Sequence, residues 1–256
     1  MIPILRNLEN NRYWINENLL KIEVQKEFLN ISQAIIDIID EYGRIKRNAF
    51  EQFIQTCLDL RQMESENTEG VEKFILGLLK PNIDARLFEI VSYAILKYYY
   101  QDQIIYWGFN IENLQKEHLK LYKTGRTNAN DGGIDFVMKP LGRFFQVTET
   151  LDFKKYFLDI DKIQKFPITF IVKTDISESE ILDKLKDNAK KSYGVVAIVE
   201  KYMNCIEEII NVQKLQEHFN FAVQEGNLTA ILNEIIIQSK VEYNFEEDDT
   251  NTEGSI

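Results

Sequence analysis

Apolar residues in the first third of the chain recur at three- and four-residue steps: Leu19, Leu20, Ile22 and Val24, then Phe28, Leu29, Ile31, Ala34, Ile35, Ile38 and Ile39. Such spacing lines one face of a helix, so residues from about 16 to 80 read as helices. Gly43 is expected to end the first run, and a second continues through Phe50, Phe53, Ile54 and Leu58. The polar stretch 64–70 reads as a loop. Lys80-Pro81-Asn82-Ile83-Asp84 marks a break, with Asp84 placed to cap the helix that follows. Between 85 and 99, Leu87, Phe88, Val91, Ala94, Ile95 and Tyr98 define one apolar helical face.

The period then shortens. Residues 104–107 form an apolar run that suits a strand or the start of a loop, followed by a helix or extended piece to Tyr122 and a polar loop at 123–130. Residues 134–139 and 143–150 read as a β-hairpin turning at Pro140-Leu141-Gly142, and 167–174 as a further strand. Ser177 and Glu180 have capping-box spacing for a helix over 177–191. Val195-Val196-Ala197-Ile198-Val199 reads as a buried strand within 194–200, and the chain is expected to be helical from there to about 237. From residue 85 the order is helix, three strands, helix, strand. A crossover helix joins parallel strands and a hairpin joins antiparallel ones, which predicts a mixed sheet in an α/β domain. The expected organisation is a helical region over 1–82, an α/β domain over 83–242 and an acidic, disordered tail over 243–256.

Composition narrows the class. With 45% hydrophobic and 28% charged residues, the chain has the make-up of a soluble globular protein. Charged and polar residues follow Met1-Ile2-Pro3-Ile4-Leu5 at once, so neither a signal segment nor a membrane span is expected, and the expected compartment is the cytoplasm. Cys57 and Cys205 are far apart, which argues against a disulfide framework or a zinc site. His118 and His218 are the only histidines, and that scarcity argues against His-based metal chemistry. The net charge of −11 is unevenly spread. Residues 116–173 hold 11 Lys/Arg against 7 Asp/Glu, whereas 1–115 hold 12 against 17 and 174–256 hold 7 against 17. Basic character is thus concentrated around the hairpin, where an anionic ligand would meet it.

That hairpin carries the candidate chemistry. Alternation places Asp135, Val137 and Lys139 on one face of its first strand, and Gln146 and Thr148 on one face of its second. Asp135 and Gln146 can therefore point into one cleft and offer oxygen ligands of the kind Mg²⁺ accepts. Gly132 and Gly133 permit close approach of backbone to a phosphate. Lys123, Thr124, Arg126, Asn128 and Asn130 supply donors suited to phosphate oxygens and base edges, although a solvated turn-rich loop would have the same composition. Arg143 and Lys154-Lys155 are weaker phosphate candidates. Tyr98-Tyr99-Tyr100 and Trp107 are read as core aromatics.

The segment Asp131-Gly132-Gly133-Ile134-Asp135-Phe136-Val137, with Phe145-Gln146-Val147-Thr148-Glu149 after the turn, resembles the PD-(D/E)XK nucleases. The resemblance spans roughly 85–200 and implies a restriction-endonuclease-like αβββαβ core with a mixed sheet. It implies a Mg²⁺-dependent endonuclease cutting double-stranded DNA, in the manner of a type II restriction enzyme. In that reading Asp135 and Gln146 hold the metal, Glu89 on the preceding helix and Asp131 are auxiliary acids, and a homodimer and a partner DNA methyltransferase are expected. The sequence departs from the family at Thr148, where the family has a lysine that orients the attacking water. Lys139, Lys123 or, through a strand bulge, Glu149 are the candidate substitutes. The departure leaves a catalytically inactive DNA-binding or assembly subunit of a defence system as the alternative, with an RNA-processing nuclease as a third.

Overall fold

The computed structural model describes residues 4–7, 9, 12–63, 67–125 and 134–243. The chain divides into two compact units, Met1–Thr56 and Cys57–Ile256. Residues 57–82 therefore belong with the α/β domain, not with the N-terminal region.

The first unit is not all helical. Strand β1 (Ile4–Asn7) pairs antiparallel with β2 (Arg12–Ile15), and β3 (Lys21–Val24) with β4 (Glu27–Asn30). The expected helix through Leu19–Leu29 is thus a hairpin. Lys21-Ile22-Glu23-Val24 alternates polar with β-branched residues, and Gln25 and Lys26 take positive φ of 55° and 73° at the two-residue turn. Local alternation and turn geometry outweigh the looser three-and-four spacing. Helix α1 (Ser32–Gln62) then runs straight past Gly43. A lone glycine costs a helix about 1 kcal/mol, but ends it only in the left-handed conformation, which Gly43 does not adopt.

The second unit is built on a five-stranded mixed sheet. Helix α2 (Thr68–Gly77) starts at the Asn67 cap, inside the stretch read as loop. Helix α3 (Ala85–Tyr100) follows the Asp84 cap, whose side chain accepts from the Arg86 N–H. A small hairpin, β5 (Ile104–Trp107) with β6 (Gln115–His118), precedes the sheet. The sheet comprises β7 (Lys120–Lys123), β8 (Phe136–Lys139), β9 (Arg143–Thr148), β10 (Ile168–Val172) and β11 (Ile206–Ile210), lying side by side in that order. β7, β8 and β9 form an antiparallel meander, and β10 and β11 add parallel to β9.

The mixed sheet agrees with expectation, but two of its parts are reassigned. The crossover between β9 and β10 is α4 (Phe153–Lys162), which the sequence reading passed over although Phe153, Tyr156, Phe157 and Ile160 have helical spacing behind the Asp152 cap. α5 (Glu178–Tyr193), capped by Ser177 as expected, leads on to α6 (Val196–Met203), which occupies the stretch read as a buried strand. Only Val199 of α6 is buried, and the last strand is β11, where Ile209 and Ile210 are buried. A short apolar run suits either state, and here burial decides between them. Helices α7 (Val212–Gln224) and α8 (Leu228–Tyr243) complete the unit. Residues 244–256 lie outside the described residues.

Strand alternation sorts the core into two layers. Ile168, Phe170 and Val172 join Phe153, Tyr156 and Ile160 of α4 and Ile181 and Leu185 of α5 in one cluster, with Phe144 packed against it. On the other face, Phe136 and Phe145 meet Tyr93 and Tyr100 of α3, with ring centroids 5.2 and 6.2 Å apart. Arg143 lies along this second face, bonding Thr169 and Glu208 on the neighbouring strands, while Lys214 of α7 also pairs with Glu208. His218 of α7 stacks on Tyr99 beside this network, and burial, with Lys214 and Arg143 nearby, pushes its pKa down to about 4 against the pull of Glu208. Below its ordinary value of 6.5 the unfolded chain takes up a proton that the folded chain refuses until about pH 4. Stability is therefore expected to fall by about 2 kcal/mol between pH 7 and pH 5 on this account, since one pKa unit is worth about 1.4 kcal/mol. Urea denaturation of wild type and His218→Phe at both pH values measures it; an equal pH slope in the two proteins contradicts the assignment.

Candidate functional site

One edge of the sheet gathers most of the polar residues singled out by the sequence. β7, β9, β10 and β11 run the same way, so their carboxyl ends, the start of β8 and the first turns of α3 and α4 share that edge. In open α/β sheets ligands enter at this edge, where strand ends and helix starts leave backbone groups to be satisfied. Lys123 closes β7, Asp135 stands just before β8, Thr148 closes β9, and Lys173 follows the last residue of β10.

Asp135 is fixed by the strand opposite. Its N–H donates to the Phe145 carbonyl at 2.9 Å, and its Oδ2 accepts from the Val147 N–H at 2.6 Å. The residue thus straddles Gln146, replacing one rung of the ladder with a charge-assisted bond from its carboxylate. Asp135 is 9% exposed and Gln146 8%. The Gln146 side chain leans on the Val147 carbonyl through Nε2 at 3.4 Å, while its Oε1 is buried with no hydrogen-bond partner. An amide oxygen left so is costly, and it is an oxygen ligand of the hard type a divalent cation takes. Thr148, two residues on, shares the Gln146 face; it is buried, and its Oγ1 accepts from the Thr150 N–H at 3.3 Å.

Glu89 does not join this group. It is buried on α3, against the opposite face of the sheet, and its Oε1 pairs with Lys123 Nζ at 2.9 Å. Lys123 is correspondingly withdrawn from any loop display, its side chain 10% exposed. Thr124 is likewise occupied, its hydroxyl donating to the carbonyls of Ile134 and Asp135 and its N–H to Asp135. Lys139 shares the face that alternation assigns it but stands at the far end of β8, about 13 Å from Asp135 at ~3.3 Å per residue. It is exposed there, over the Tyr122 ring. Arg143 begins β9 at that same far end and is held by Thr169, Glu207 and Glu208, so it is not poised for phosphate at the Asp135 edge. Arg126, Asn128, Asn130, Asp131, Gly132 and Gly133 lie outside the described residues.

The sequence reading missed Lys173. Its N–H donates to the Thr148 carbonyl at 2.9 Å, and its side chain, 4% exposed, bonds Glu149 and the Ile83 carbonyl and lies over the Phe88 ring. A lysine directly after the largely apolar Ile168–Val172 run was the available signal, because such a strand end falls at the ligand edge. Among the described residues, no three of His, Cys, Asp and Glu come together as a metal-holding group, and no helix is long and apolar enough to cross a membrane.

Comparison with protein-family models, with curated proteins and with solved structures returned no match.

The Glu89–Lys123 pair yields a direct test of the site's construction. Removing one member of a buried ion pair strands the other charge, at a cost of about 3 kcal/mol. Glu89→Gln is expected to lose that much in urea unfolding, and Lys123→Met added to it is expected to recover at least half. A single variant within ~0.5 kcal/mol of wild type contradicts a buried pair.

Proposed function

We propose that the chain is a Mg²⁺-dependent endonuclease of restriction-endonuclease-like build that hydrolyses double-stranded DNA, in the manner of a type II enzyme. The observation that carries the reading is the seating of Asp135 across Gln146, with the Gln146 Oε1 buried and unpartnered. The element order supports it: helix α3, the meander β7–β8–β9, helix α4 and parallel strand β10 follow the αβββαβ pattern implied by the resemblance of 131–149 to the PD-(D/E)XK nucleases.

The donor set fits Mg²⁺, since a carboxylate and an amide oxygen are both hard ligands. Asp135 and Gln146 would hold the ion. When bound, such an ion polarises the phosphate and lowers the pKa of a water. The chain's own work is positional. The Val147 N–H holds the Asp135 carboxylate, and the β9 ladder holds Gln146. Glu89 neutralises Lys123 and contributes to the frame of the edge, as Glu149 does for Lys173. Thr148 offers a hydroxyl where the family has a cation, so positive charge at this edge rests with Lys123 and Lys173, both on the α3 face and each paired with a glutamate.

One observation favours the second reading, a non-catalytic DNA-binding subunit on the same fold. Both buried lysines at the edge already have a glutamate partner.

Nicking of supercoiled plasmid in Mg²⁺, Mn²⁺ and EDTA separates the two. The enzyme reading expects metal-dependent cleavage that falls at least ~100-fold in Asp135→Asn and in Gln146→Leu. Lys139→Ala is expected to cut as wild type does. DNA retained in a gel shift without cleavage in either metal replaces the enzyme with the binding subunit.

A further inference from the structure

The strand that borders the candidate site belongs to a longer extended run. β6 ends at His118 and β7 starts at Lys120, and the Leu119 N–H between them donates to the Gln103 carbonyl at 2.9 Å, so backbone pairing continues from one strand to the next. Leu119 and Leu121 are buried, while Lys116, His118, Lys120 and Tyr122 alternate with them and are exposed. Cross-strand neighbours share their side of the run. Tyr106 is opposite Lys116 and Ile104 opposite His118; Lys139 is opposite Lys120 and Val137 opposite Tyr122. None of these side chains is acidic, in a chain whose net charge is −11. Glu117 takes the other side, opposite Ile105.

Packing does not account for the lysines on this stripe. Lys120 and Lys139 are directly opposite one another, where like charges weaken a sheet. Lys139 lays its ammonium over the Tyr122 ring, 5.3 Å from the centroid, and is committed to that ring. Among the described residues, neither Lys116 nor Lys120 joins an ion pair. The sheet gains nothing from Lys120, whereas a bound anion would relieve its repulsion. The stripe also leads to the candidate site: Val137 shares its strand face with Asp135, and Thr124, just past β7, donates to the Asp135 carbonyl. From Lys116 to Thr124 is about 26 Å at ~3.3 Å per residue. That is the rise of about eight steps of a duplex, at about 3.4 Å each.

We infer that the outward side of residues 116–122 is a track for the backbone of duplex DNA. Lys116 and Lys120 each neutralise a phosphate. Tyr106 and Tyr122, 67 and 43% exposed, pack on sugars and donate their hydroxyls to phosphate oxygens. The inference rests on the reading that the Asp135 site acts on duplex DNA, and adds the surface that holds the duplex across it. Contacts of this kind fix position on the duplex and carry no sequence information.

Fluorescence anisotropy of a short labelled DNA duplex tests it, in EDTA so that the proposed cleavage does not proceed, at salt from about 50 to 200 mM. Each phosphate contact contributes about −0.9 to the slope of log K against log salt. Lys116→Gln with Lys120→Gln is expected to make that slope shallower by about 2 and to weaken binding at least ~10-fold. Lys116→Arg with Lys120→Arg is expected to keep the wild-type slope. Lys190→Gln with Lys191→Gln removes the same charge from the last turn of α5 and is expected to leave the slope as it is. Circular dichroism checks that each variant folds, and Lys120→Gln is expected to unfold at no lower urea concentration than wild type. The inference is overturned by a wild type that binds no DNA duplex, by one that binds duplex RNA in its place, or by a Lys116/Lys120 variant whose slope matches that of the α5 variant. Plasmid nicking in Mg²⁺ tells the two readings apart. Cleavage with an unaltered slope overturns the track alone, and a slope that depends on Lys116 and Lys120 without cleavage overturns the enzyme alone.

Discussion

A single hydrogen bond organises the candidate site: the Asp135 carboxylate accepting from the Val147 N–H. Strand β8 begins only at Phe136, so without that bond the Val147 donor would be left without this partner. The side chain of Asp135 supplies what the backbone does not, and in doing so holds its charge over the residue between Phe145 and Val147. Gln146 is thereby confined beneath a carboxylate, with its own oxygen buried. The bond links strand pairing to chemistry, since the substitution that weakens the ladder also moves the acid.

The α3 face of the same edge is built on a different principle. Lys123 and Lys173 are both nearly buried, and a buried ammonium persists only when paired. Glu89 and Glu149 meet that need from a helix and from the end of a strand. The two pairs also tie helix α3 to the sheet, through Lys123 directly and through the bonds of Lys173 to Ile83 and the Phe88 ring. An acid on the first helix of such a domain can therefore stabilise the frame without touching a ligand, and this is where the expectation for Glu89 parted from its surroundings.

Much of the second unit was legible because its signals are short-range and redundant. Asp84 and Ser177 cap helices as their spacing indicated, and the hairpin turns where Pro140-Leu141-Gly142 said it should, with Gly142 at φ 68°. Asp135 and Gln146 were legible as neighbours because a two-stranded pairing is nearly local. The misreadings have a common cause: periodicity alone does not say what an element packs against. Val195–Val199 is as apolar as a strand, yet most of it faces outward on a helix, while Ile206-Glu207-Glu208-Ile209-Ile210 forms the strand despite two adjacent acids. Glu208 is accommodated by Lys214, six residues on, and by Arg143, a partner 65 residues back that no local pattern reveals. Lys173 was missed for the same reason, because its importance comes from the strand beside it. In the first unit, the β3–β4 hairpin replaced an expected helix where turn geometry overrode spacing.

The central claim is that Asp135 and Gln146 together hold a divalent cation at the carboxyl edge of the sheet. Anomalous diffraction from crystals of the full chain grown with Mn²⁺ addresses it without recourse to activity. The account predicts a peak within coordination distance of both the Asp135 carboxylate and the Gln146 Oε1, absent from Asp135→Asn crystals. A peak elsewhere, or a Gln146 amide satisfied by protein or water with no metal beside it, would contradict it.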